Sequence, residues 1–214
     1  MKALIYKDMF VLKQKGQIFS FLSSTIIAII IGLFFRNLYG LALIVVLSIP
    51  IGGCGFVQIV MEKEERTNFD KRVISLPVTK KEIVLARFIT SFIFLMINML
   101  IALIYALAHV YLWHIVTLDV ALLLWVIGVL LGFFLIGLNS IGYHWLGARK
   151  GTFLYLVVVG LSIVVYLLIF LGLDVEQFLS LGSTILFLIG CVFTILTLFI
   201  SYFVSLKIFE RKYS

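Results

Sequence analysis

Long apolar runs alternate with short polar interruptions along almost the whole chain, and the length of the runs decides what they are. About 20 helical residues cover the ~30 Å hydrocarbon layer of a bilayer. Six runs meet that requirement, at about 18–35, 40–61, 83–108, 118–141, 152–171 and 183–206. Each is expected to be helical, because an isolated strand in lipid leaves its backbone groups unpaired. The interruptions differ in character: Arg36-Asn37, the charged stretch 62–82, His109 to Asp119, Tyr143 to Gly151, and Gly172 to Gly182. No internal repeat links the runs.

Residues 1–15 are too polar to span. Met1, Leu4, Ile5, Met9 and Leu12 share one helical side, interrupted by Asp8. The pattern predicts an interfacial helix along the inner leaflet, the plainer alternative being a frayed tail. The run from Ile18 is long for a signal peptide, and Phe34-Phe35-Arg36 is no small-residue cleavage site, so it reads as an uncleaved first span.

Composition agrees with this layout. The chain is 64% hydrophobic and 13% charged, with mean hydropathy +1.25, where soluble domains run near half and a quarter. The fold class that follows is all-α integral membrane: six transmembrane helices, an N-terminal interfacial helix, and a single domain over 1–214.

Charge then orients it. With the N-terminus inside, 16 of the 17 Lys and Arg residues fall on inner segments, leaving Arg36 alone outside. The outer loops carry Asp119, Asp174 and Glu176 instead. Such an asymmetry is the positive-inside signature, and it places both termini in the cytoplasm of a cell whose plasma membrane holds the chain. The net charge of +7 is therefore no nucleic-acid surface, since its cations edge apolar runs. Cys54 and Cys191 lie singly inside apolar runs and read as small core residues, not as metal or redox groups.

The charged stretch MEKEERTNFDKRVISLPVTKKEI, residues 61–83, has internal order. Thr79-Lys80-Lys81-Glu82 is a capping box that starts the third span, and Pro77 ends whatever helix precedes it. Thr67 or Asn68 can cap a second helix with Asp70 in its first turn. On that helix Phe69, Val73 and Leu76 recur as an apolar stripe, with Lys71 and Arg72 off it. A stripe on a surface helix must pack on the bilayer, on a partner protein, or on the chain's own base.

An acidic-basic cluster closing span two, an amphipathic segment, and SLPVTKKEI opening span three together resemble the permease subunits of ABC-2-type exporters. Six spans, an N-terminal elbow helix and cytoplasmic termini extend the resemblance over essentially the whole chain. The stretch ERTNFDKRVISLPVTKKEI is also similar to the small permeases of Gram-positive peptide exporters, including the phenol-soluble-modulin exporter. The resemblance implies a coupling segment at 62–82 that meets a separate ATP-binding cassette ATPase, with residues 67–76 as the coupling helix. Glu62, Glu64 and Glu65 would then end span two at the ATPase surface, beside Arg66, Phe69, Asp70, Arg72, Val73 and Leu76. It further implies a second permease copy or paralogue, and ATP and Mg²⁺ bound by the ATPase and not by this chain. Span two would help to line the path. The outer loop GLDVEQFLSLG is too short for the large external domain of bigger exporters.

Chemistry within the chain is sparse. No G-x-x-x-x-G-K-[ST] cradles a nucleotide, no H-E-x-x-H holds zinc, and no G-x-S-x-G presents a serine. Glu64-Glu65 lacks the arginine of an E-E-x-x-x-R protease motif, since Phe69 stands in its place. His109, His114 and His144 near Tyr111, Trp113, Tyr143 and Trp145 read as an interfacial belt. No span carries an acid or base near its centre, which disfavours a gradient-driven carrier. The deepest hydrogen-bonding side chain is Asn98, with Ser48, Ser162 and Thr194 behind it; Asn98 either glues helices or touches cargo.

Pro50 followed by Gly52-Gly53 predicts a kink in span two and a hinge on the path. Gly128 and Gly132 form a GxxxG better suited to packing within the chain than to dimerisation. The expected function is the permease half of an ATP-driven exporter for an amphipathic or hydrophobic cargo such as a peptide, lipid or drug. A gradient-driven carrier and a non-transporting immunity or sensor protein are the alternatives.

Overall fold

The computed structural model describes residues 2–13, 36–67, 78–172 and 183–212, with the single positions 26, 29, 30, 34 and 69. Most of the expected first span, the outer loop 173–182, and Asp70, Arg72, Val73 and Leu76 lie outside the described residues. Every described element is helical. Among the described residues, four helices are long and apolar enough to cross a membrane by length and composition: Leu38–Thr67, Lys80–Tyr111, Leu118–Leu167 and Phe187–Lys212.

Helix α1 is Lys2–Lys13, within the stretch 1–15. It rests on the third helix, burying Leu4 and Asp8 while Tyr6 and Phe10 stay exposed. Helix α2 is Leu38–Thr67. Asn37 caps it in extended geometry, its side-chain oxygen accepting from Gly40 N–H at 2.6 Å. The winding widens to a π-helix over Leu43–Ser48 and returns to α over Ile49–Cys54, with Pro50 in the first turn of that piece. Proline has no N–H to give the preceding turn, so relaxed winding ahead of it is the expected response. A second interruption follows at Gly55, whose N–H bonds Gly52 O at 3.2 Å. The kink expected around Pro50 and Gly52-Gly53 is thus a helix in three pieces.

Helix α3, Lys80–Tyr111, opens on the expected capping box. Thr79 N–H donates to Glu82 Oε2 at 2.9 Å, and Glu82 N–H returns to Thr79 Oγ1 at 3.3 Å. Helix α4, Leu118–Gly172, runs 55 residues, about 80 Å if it were straight. It is not straight. Gly147 interrupts it with φ 78° and ψ 178°, a conformation open only to glycine. Gly142 lies against Leu154 and Gly151 against Tyr143, pairs that a straight helix would hold roughly 12–18 Å apart. The two arms, 118–146 and 148–172, therefore fold back on each other. Residues 143–151 are expected as a loop; the structure confines the break to one residue because glycine alone can make so sharp a reversal.

Helix α5, Ser183–Lys212, packs along the first arm of α4, where Ser201 donates to Gly137 O at 2.5 Å. The core joins Leu41, Ile44 and Val45 of α2 to Leu95, Met99 and Ala102 of α3 and to Leu135 and Ile136 of α4. Gly128 and Gly132 sit inside it. A Cβ on Gly128 would come 2.4 Å from Val45 O, and one on Gly132 would meet Leu95 at 2.7 Å. The GxxxG therefore serves packing within the chain. Leu156, Leu161, Phe193 and Phe199 remain exposed on the second arm and on α5, as a lipid-facing surface requires.

The segments assigned to one membrane side by charge meet at one end of this bundle. Lys7, Glu64, Arg87, His144 and Phe209 all converge there. Arg36 lies over Trp113, 5.5 Å from the ring centre, and so joins two of the segments expected on the other side.

Candidate functional site

The charged end holds a buried junction. Arg87, near the start of α3, is 7% exposed and lies between two partners. One of its guanidinium nitrogens pairs with Glu64 Oε2 of α2, and the other donates to His144 Nε2 at 3.1 Å. An arginine can only donate, so Nε2 is the acceptor and the ring carries its proton on Nδ1. That proton goes to Ser140 O at 2.7 Å, which leaves the imidazole neutral. Glu64 Oε1 takes Lys7 from α1, and Lys7 also pairs with Asp8 at 2.8 Å.

Two cations face two anions in this cluster, so charges that would be costly alone are balanced. The Asp8 carboxyl is held above its ordinary range because burial strips its hydration, against the pull of Lys7. Phe209 of α5 closes one side, its ring centre 5.7 Å from the Arg87 guanidinium carbon. A water-sized space of about 10 Å³ remains between Met61, Glu64, Glu65, Arg87, His144, Phe209 and Lys212.

The neighbouring glutamates hold the α4 hairpin. Glu65 Oε1 accepts from Ala148 N–H at 2.5 Å, capping the first free N–H of the second arm. Glu62 Oε1 accepts from Gln58 at 2.9 Å and lies 3.4 Å from the Thr152 hydroxyl. The acidic cluster is thus spent within the chain: Glu62 and Glu65 on the hairpin tip, Glu64 on α1 and α3. Glu64, expected with Glu62 and Glu65 to end the second span at an ATPase surface, is 5% exposed. Arg66 is exposed, and Phe69 packs half-buried on the core under Lys7, whose Nζ sits 4.5 Å from the ring centre.

His144 is likewise no belt residue, being buried in the junction, and His109 is fully buried with its Nδ1 on Tyr105 O at 3.2 Å. Arg87 was legible as a signal in its own right. It falls inside the third apolar run, where an ionisable side chain implies a buried partner.

A second feature lies further along α2. A cavity of about 540 Å³ opens between its first half and the second arm of α4, lined by residues that include Leu43, Leu47, Ser48, Ile51, Val159 and Ile163. Of the residues expected on a path, Ser48 lines it. Gly52 is exposed with open space where a side chain would stand. Pro50 and Gly53 are buried, Gly53 against Leu95 and Asn98 of α3. Asn98 is buried too, donating to Phe94 O of its own helix at 2.8 Å. Asn98 therefore belongs to the packing behind the hinge and not to the cavity. Among the described residues no group of His, Cys, Asp and Glu could hold a metal ion.

A family model described as ABC-2 family transporter protein matches residues 3–210. No curated protein and no solved structure matches the chain.

Proposed function

The chain belongs to the ABC-2 transporter family, and from that premise we propose that it is the permease half of an ATP-driven exporter. It pairs with a second permease, a copy or a paralogue, and with cytoplasmic ATP-binding cassette ATPases that supply ATP and Mg²⁺ chemistry. The chain itself is no enzyme. It resides in the plasma membrane with both termini inside, and residues 62–82 receive the push of the ATPase.

The observation that carries the coupling role is the junction around Arg87. Segment 62–82 begins on Glu62, Glu64 and Glu65 of α2, and these three side chains reach α1, α3 and the second arm of α4. A displacement of that segment moves four elements together. Above it, α2 carries two weak points, the π-turn ahead of Pro50 and the break at Gly55, where a rigid lever can bend. The apolar cavity beside those weak points suits a hydrophobic or amphipathic cargo, a peptide, lipid or drug.

Co-expression with ATP-binding cassette ATPases of the same genome tests the reading. The expected result is a copurifying complex that Phe69→Asp with Val73→Asp disrupts. Transport that collapses with an ionophore while ATP is constant would instead support a gradient-driven carrier. A chain that recruits no ATPase and moves no cargo would support an immunity or sensor role.

A further inference from the structure

Two tyrosine hydroxyls on the second arm of α4 bond main-chain carbonyls of α2: Tyr166 and its partner Tyr39 line the 540 Å³ cavity, and Tyr155 bonds Ile51, which lines it one helical turn after Leu47 and Ser48. Tyr155 donates to Ile51 O at 2.8 Å, and Tyr166 donates to Tyr39 O at 2.7 Å. Along either helix the two bridges are about 17–18 Å apart. The walls are mainly aliphatic, Leu43, Leu47 and Ile51 on one side and Val159 and Ile163 on the other, with Ser48 between them and Asn37, Tyr39 and Tyr166 at one end as the polar side chains.

We propose that this space is a binding compartment for a single unbranched hydrocarbon chain, closed at its ends by the Tyr155–Ile51 and Tyr166–Tyr39 bridges. Chemistry selects the occupant. An extended peptide brings one N–H and one C=O per residue, and most would stay unpaired on a wall whose polar side chains are Ser48 and, at one end, Asn37, Tyr39 and Tyr166, with Asn37 Oδ1 and the Tyr166 hydroxyl already bonded to main chain. A hydrocarbon chain makes no such demand, and its gain on burial scales with the apolar area covered.

The inner bridge also has a way to open. In a regular helix Ile51 O would accept from Gly55 N–H, but that N–H turns to Gly52 O and Tyr155 takes its place. The position of a Cβ on Gly55 is 3.6 Å from the Tyr155 hydroxyl, so the ring reaches the break itself. If the arm withdraws, Gly55 N–H can leave Gly52 O and return to Ile51 O, so the Ile51 carbonyl has a donor at both stages. Opening the compartment and straightening α2 are then one event.

That the occupant is cargo rests on the permease reading above; that the compartment binds a chain does not. The test accordingly uses the purified chain without any ATPase, in phospholipid nanodiscs. Two probes carry the same diazirine-bearing palmitoyl chain, one as the free acid and one within phosphatidylglycerol, and whichever labels identifies the source. Crosslinks are expected to concentrate on Leu47, Ser48, Ile51 and Val159 over the exposed Phe193 and Phe199 of α5. Ile163→Trp, entering the cavity from an exposed position, should cut that labelling about tenfold. Tyr155→Phe and Tyr166→Phe keep the rings and should speed it, which separates gating from misfolding. Equal labelling of cavity and α5, or labelling unchanged in a monodisperse Ile163→Trp protein, overturns the proposal. So does preferential labelling of the compartment by a hydrophobic diazirine peptide.

Discussion

Arg87 and Glu64 form an ion pair with both members almost wholly buried, although 22 residues and the charged segment separate them in sequence. The pair is worth little as a net source of stability, because desolvating two charges roughly offsets their attraction. Its value is positional. It fixes the end of α2 to the start of α3 at the point where α1 and the α4 hairpin also arrive.

Breaking the pair should cost far more than the pair contributes. Arg87→Met leaves the buried Glu64 carboxylate with Lys7 as its remaining cation, and up to about 3–5 kcal/mol of stability should be lost. The double variant Glu64→Leu with Arg87→Met leaves no stranded charge on that contact and should recover most of the loss. Thermal unfolding of the three proteins in one detergent checks this; a double variant no better than the single would show that Lys7 and His144 dominate.

The hairpin tip should be as sensitive as the ion pair. Gly147 has φ 78°, and a Cβ there would stand 2.9 Å from Glu65 Oε1, the oxygen that caps Ala148. Gly147→Ala should cost of order 1–3 kcal/mol from backbone strain alone. Adding Glu65→Gln should cost less in that background than in the wild type, because the cap is already displaced, and a double-mutant cycle measures the difference.

Asp8 predicts a pH dependence with a definite sign. Burial raises its folded-state value above the ordinary 3.8, with Glu64 pushing the same way and Lys7 opposing. The folded protein then holds the proton more tightly than the unfolded one, so this group's contribution to stability falls as pH rises from 3.8 through the folded value. Asp8→Asn mimics the protonated form at every pH. Its melting temperature relative to wild type should climb across that window, and a difference that shrinks would contradict the assignment.

How much of this was readable in advance follows from the range of each interaction. The capping box at Thr79 and the weak point at Pro50 are local, and a few adjacent residues specify them. The charge asymmetry is additive along the chain, so it survives ignorance of every contact. Apart from the local Gln58–Glu62 bond, the partners of Glu62, Glu64 and Glu65 lie 23 to 90 residues away, and no periodicity encodes them. An acidic run before a basic one therefore reads as a surface. Gly147 hides for another reason: Ala148, Arg149 and Lys150 after it are all good helix formers, and only its dihedral betrays the turn.

Two glycines with the same local appearance should respond oppositely to alanine. Gly128 meets Val45 O so closely that a Cβ would sit 2.4 Å from it, and a backbone oxygen cannot move aside as a flexible side chain would. Gly128→Ala should force α4 from α2 and cost about 1–3 kcal/mol, as overpacking does. Gly52 has nothing within 4 Å of the same position. Gly52→Ala should therefore be folded and gain up to about 1 kcal/mol from helix propensity. That gain is placed on the hinge, between Pro50 and the break at Gly55, where stiffness opposes bending. The expected phenotype is a protein with a higher melting temperature and slower cargo movement in vesicles reconstituted with its ATPase. If Gly52→Ala stabilises the chain and transport is untouched, α2 does not bend there, and the motion must be assigned to the α4 hairpin instead.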